Sequence, residues 1–176
     1  DPSRMLAFPR NESEVHYRDW KALGSEYLLI GSITQQAGRY YASYELFDVV
    51  QQKRVFAKLT VDGTEAQLRD MAHHISDKVY ETITGIRGIF STKLIYVEAF
   101  KSPQKYRLML SDIDGFRPRI LLESRYPLLS PVWSPNGQRV AYVSFEAENK
   151  PAIYIQDIAT GRRQQMTSFR GLNGAP

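Results

Sequence analysis

The chain has 176 residues, 43% hydrophobic and 12% aromatic, with 23 basic and 19 acidic side chains and no cysteine. This composition supports a packed core rather than a disordered chain, and the length allows one large domain or two small ones. Disulfides and thiolate chemistry are excluded, and no apolar run approaches the roughly 18 residues of a membrane-spanning helix.

The opening Asp1-Pro2-Ser3-Arg4 shows no charged leader followed by an apolar stretch, so no secretory signal is expected in this sequence. Residues 1–13 carry Pro2 and Pro9 among mostly polar neighbours and read as an extended lead-in. Val15, Tyr17, Trp20 and Leu23 fit a short amphipathic helix over residues 14–23, with Gly24 as its stop. Three strands follow, at residues 27–33, 39–50 and 55–61, joined by turns at Ala37-Gly38 and Gln51-Gln52-Lys53. Sequential strands with tight connections predict an antiparallel meander. Thr64 and Gln67 have the spacing of a capping box. Leu68, Met71, Ile75, Val79 and Ile83 then form one stripe of a longer helix ending at Gly85. The first part is therefore expected to be an α+β domain over residues 1–88, with 85–88 as a hinge.

The rest of the chain, 89–176, has another rhythm. Leu94-Ile95-Tyr96-Val97 is echoed by Val140-Ala141-Tyr142-Val143, and Leu110 and Gly115 by Ile155 and Gly161, at an offset of 45 or 46 residues. Short strands with a period in the forties are the signature of β-propeller blades. The expectation is an all-β partial propeller of about two blades. The first three strands, at residues 93–99, 106–113 and 118–122, could be strands one to three or two to four of their blade. Trp133, between Pro131 and Pro135, is expected to wedge between blades.

Charge is unevenly divided. Residues 1–90 carry 11 basic and 12 acidic side chains, and residues 91–176 carry 12 and 7. A basic second half could meet nucleic acid, an anionic envelope or an acidic protein, although a solvated Arg-rich rim accounts for it as well. Tyr40, Tyr41 and Tyr44 beside Arg39 and Arg54 could stack bases, but the first half is net acidic and aromatic strand residues commonly pack under a helix. His73 and Asp77 have the spacing of a ligand pair without a third ligand. Asp112-Ile113-Asp114-Gly115 resembles a calcium-loop fragment, but the late ligands do not arrive, and a strand ending in an Asp-Gly turn explains it. No nucleophile-and-base set, phosphate-binding glycine loop or HExxH pair is present. The chain is read as non-enzymatic, with no metal, no cofactor and no nucleic-acid partner. The loops that enter the innermost strands of a propeller lie at its channel mouth. Here they are Leu128-Leu129-Ser130 and Leu172-Asn173-Gly174-Ala175, read as an apolar protein-docking surface.

Trp20-Lys21-Ala22-Leu23-Gly24, then the run from Tyr27 to Ile33, then Leu46-Phe47-Asp48-Val49, resemble the amino-terminal domain of the TolB family. So do the run from Leu129 to Glu146 and Asn173-Gly174-Ala175-Pro176 for its repeats. The resemblance implies a periplasmic component of the Tol–Pal envelope system that acts in outer-membrane integrity and cell division. It implies a six-bladed propeller, of which about two blades are written here. The implied partners are the peptidoglycan-associated lipoprotein Pal, TolA (through an amino-terminal segment not in this sequence) and colicins. A propeller portion of a serine peptidase and a nucleic-acid-binding module are the rival readings.

Overall fold

A computed structural model describes residues 8–147, 150–167, 169–171 and 173–176. The chain divides into two compact units, Asp1–Ser91 and Thr92–Pro176.

In the first unit, Asn11 caps a single 3-10 turn at Glu12–Glu14 by accepting from Ser13 N–H at 3.0 Å. Helix α1 (Tyr17–Ala22) follows. It is shorter than the apolar spacing predicts because Asn11 draws the preceding residues into their own turn. Strands β1 (Tyr27–Gln36), β2 (Arg39–Asp48) and β3 (Lys53–Gly63) form the expected meander, in the order β1-β2-β3. Gln36 pairs with Arg39 across Ala37 and Gly38, whose φ values of 50° and 77° give the mirror-image turn that suits strand twist. Asp48 closes the next turn by accepting from Gln51 N–H at 2.7 Å.

Both faces of this sheet are used. Leu28, Ile30, Phe47 and Val49 form a core with Val15 and Trp20. Ala42, Tyr44 and Leu46, at the alternate positions of β2, are buried on the other side. Helix α2 (Leu68–Thr84) packs against β2 and β3 on that side, with Met71 over Gly63. A helix thus covers each face of the sheet. Thr64 and Gln67 form the capping box, with Thr64 N–H donating to Gln67 Oε1 at 3.0 Å. Of the α2 stripe only Met71 is fully buried.

The second unit contains two antiparallel sheets. One is β4 (Lys93–Lys101), β5 (Gln104–Asp112) and β6 (Arg119–Ser124). The other is β7 (Leu128–Trp133), β8 (Arg139–Ala147), β9 (Lys150–Asp157) and β10 (Arg163–Gln165), a complete four-stranded meander. Register decides the open numbering of the first sheet. Lys93 pairs with Asp112 as Arg139 pairs with Asp157, and Leu110 pairs with Arg119 as Ile155 pairs with Gln164. At the repeat offset, β4, β5 and β6 therefore match β8, β9 and β10, strands two to four, and β4 has the edge that β7 covers in the second sheet.

The sheets stack face to face. Leu108, Leu128, Val140, Tyr142, Ala152 and Tyr154 are the buried core, with Ile95, Val97, Tyr106 and Leu122 packed against it. A polar chain crosses this interface. Arg163 Nε donates to Tyr142 Oη at 2.6 Å, Tyr142 Oη donates to Gln156 Oε1 at 3.1 Å, and Gln156 Nε2 donates to the Leu121 carbonyl at 2.9 Å. The rings of Tyr142 and Tyr154 stack within this core. Trp133 is only half-buried and stands beside Thr92, Lys93 and Gly137.

Candidate protein-docking loops

The loop that enters β7 is built by alternation and one strained residue. Neighbouring strand residues face opposite ways. Leu128 pairs with Ser144 on the side of the first sheet and is 1% exposed. It belongs to the core, which corrects its reading as an exposed docking residue. Leu129, opposite Val143, faces the other way and is 48% exposed. The ladder then breaks: Ser130 and Pro131 lie between the paired residues Leu129 and Val132, and Ser130 has φ 50°. This bulge sits where Pro131 cannot donate to a neighbouring strand.

The loop after β10 repeats this device. Ala175 has φ 57° and precedes Pro176, as Ser130 precedes Pro131, 45 residues earlier. Asn173, expected as a docking residue, is buried instead. Its Nδ2 donates to the carbonyls of Phe169 and Gly171 at 2.9 and 3.3 Å, so it holds the loop's shape. Gly174 and Ala175 are exposed. Leu172 lies outside the described residues.

Both loops lie at one end of the second sheet. Leu129, Val143 and Ile153 share one row, and Met166 N–H donates to the Ile153 carbonyl at 2.8 Å where the chain leaves β10. Beside the second loop is a groove of about 460 Å³ lined by Ala147, Lys150, Gln165, Phe169, Arg170 and Asn173. Phe169 is 77% exposed on its rim. The sequence reading passed over this groove, although an aromatic-basic pair, Phe169-Arg170, just before the glycine-rich loop was its available sign.

The residues weighed for metal binding have protein partners. Asp112 accepts from Lys93 Nζ at 2.5 Å and from Arg117 Nε at 2.9 Å. Asp114 caps its turn by accepting from Phe116 N–H at 3.1 Å. Asp77 accepts backbone N–H groups of Phe90 and Ser91. No described helix is long and apolar enough to cross a membrane.

Residues 1–55 match the TolB amino-terminal domain and residues 80–176 match the TolB beta propeller domain. The chain is 51% identical over 175 residues to the Tol-Pal system protein TolB of Pseudomonas fluorescens, covering 98% of this chain and 40% of that protein. It is 48% identical to the Tol-Pal system protein TolB of Alcanivorax borkumensis, covering 99% and 41%. It thus spans about two fifths of the length of these relatives. The crystal structure of TolB from Acinetobacter baumannii superposes with a TM-score of 0.90 at 38% identity, over all of this chain and 44% of that one. The meander with its helices, the stacked antiparallel sheets and these matches agree in order along the sequence: the chain belongs to the TolB family.

Proposed function

We propose that this chain is part of a non-enzymatic, periplasmic component of the Tol–Pal cell-envelope system that supports outer-membrane integrity and cell division by docking protein partners. Residues 1–88 act as its amino-terminal domain and residues 89–176 as the start of its propeller. The proposed partners are Pal, TolA (through a segment outside this sequence) and colicins. The observation that carries this reading is the match of both parts, in order, to the family whose named relatives are Tol-Pal system proteins.

The proposed contacts are the exposed members of the two loops, Leu129, Ser130, Gly174 and Ala175, with Leu172 carried over from the sequence. Leu128 and Asn173 shape the loops from beneath. An exposed leucine beside a backbone bulge supports docking, because apolar surface left facing water gains free energy when a partner covers it. Leu129 also shares its sheet face with Val143 and Ile153, so its substitution is paired with one at Ser130. Pull-down of Pal by the complete protein is expected to fail for Leu129→Asp and for Ser130→Arg while the thermal melt stays native. Native binding by both variants would remove these loops from the site.

A further inference from the structure

The chain between α2 and the second unit doubles back on its own helix. Gly85 ends α2 with φ 72°. Asp77 lies eight residues earlier, roughly 12 Å back along the axis. Phe90 and Ser91 nevertheless return to it: Asp77 Oδ1 accepts from Phe90 N–H at 2.7 Å, and Oδ2 accepts from Ser91 N–H at 3.0 Å. Gly88 is buried against the same residue. A Cβ there would lie 2.5 Å from Asp77 Cα and 2.9 Å from Asp77 Cβ, so only glycine fits. One turn earlier, His73 sets Nδ1 against the Phe90 carbonyl, and the Phe90 ring meets Tyr80 edge-on at 5.9 Å.

Apart from the Phe90–Tyr80 ring contact, the segment's large apolar side chains face solvent. Ile86 is 62% exposed and Ile89 61%. The fastening is polar and centred on one carboxylate, which engages two consecutive N–H groups in charge-assisted bonds, the stronger class of hydrogen bond.

We propose that residues 86–91 form a releasable strap whose catch is the Asp77 carboxylate, and that opening it lengthens the free chain joining the two units. Asp77 is a positioning residue in this device. With the strap closed, the chain departs beside the middle of α2. With it open, the chain departs from Gly85 with six more residues, adding up to about 20 Å of reach. A surface segment outside the core can open locally while the core stays folded. The sequence reading of residues 85–88 as a hinge thus becomes a latched one, free only when Asp77 lets go.

The test uses the complete natural protein and two readouts confined to the strap: hydrogen exchange of the Phe90 and Ser91 amides, and trypsin cleavage after Arg87, which is exposed within it. Asp77→Ala removes the catch. Gly88→Ala evicts the strap by steric conflict without changing the helix, and so answers even if Asp77→Ala weakens α2. Both variants are expected to accelerate strap exchange and Arg87 cleavage by about tenfold or more, given what two charge-assisted bonds contribute. The Met71 and Ile75 amides of α2 should keep their native rates. Native strap rates in both variants would overturn the proposal, and so would acceleration of the helix amides by the same factor.

Discussion

The two sheets of the second unit share a ladder and differ in what fills it. Lys93↔Asp112 and Arg139↔Asp157 occupy the same rung, as do Leu110↔Arg119 and Ile155↔Gln164. Yet Asp112 is buried between Lys93 and Arg117, whereas Asp157 caps a surface turn by accepting from Thr160 N–H at 2.8 Å. Tyr142 is fully buried and tied into a polar chain, whereas Tyr96, its counterpart, is half-buried. The repeat sets backbone register, and the sheet a residue faces decides its side-chain role. Leu108 of the first sheet packs on Tyr142 of the second. Its counterpart Ile153 is only partly buried on the second sheet's far side.

Substitutions at equivalent rungs can break this comparison. Tyr142→Ala is expected to cost about 3–5 kcal/mol, the range for losing a large core ring. Tyr96→Ala should cost at least about 1 kcal/mol less, since it removes less buried area. Urea unfolding of the two variants measures the gap, and equal costs would make the slots equivalent. Next, Asp112→Asn should cost about 2–3 kcal/mol by leaving Lys93 and Arg117 without their buried counter-charge. Asp157→Asn should cost less in the same assay.

The Asp157 carboxylate also carries a pH signature. The Thr160 N–H and hydroxyl hold the Asp157 carboxyl below its ordinary value. Its stabilising contribution is therefore complete above about pH 4 and is lost as the pH falls through the depressed folded value. Acid titration of Asp157→Asn should lack that component; an unchanged acid profile would contradict the assignment. The smallest effect is at the bulge. Ser130→Val should cost about 1–2 kcal/mol for forcing a branched side chain into left-handed backbone. Ser130→Gly should be neutral or slightly stabilising in a thermal melt.

Much of this architecture was readable from residue patterns. Period-two alternation and turn residues located the three-stranded meander, and the 3-4-4-4 spacing from Leu68 to Ile83 located α2. The 45-residue echo located both sheets, because backbone ladders follow local propensity. What the pattern could not say was direction. Leu128 and Leu129 look alike in sequence, but which one points to the first sheet depends on register with Ser144 and Val143. Asn173 read as a docking residue because its carbonyl partners, Phe169 and Gly171, are fixed only by the folded loop. Trp133 does share the face of Val140 and Tyr142, yet it stays half-buried at the end of β7, beside Lys93. The Asp77 latch escaped notice because its acceptor and donors are 13 and 14 residues apart, and the donors are backbone groups without a sequence sign.

The bare border of β4 has a consequence for synthesis. β7 enters its sheet through a bulge and a proline, features that discourage stray pairing, while β4 runs nine residues with no proline. At about 5–20 residues per second, β4 to β6 emerge from the ribosome seconds ahead of everything coded after them. During that interval an unmatched row of amides and carbonyls faces the crowded cell. Chaperones that recognise half-made strands are therefore expected to engage that border.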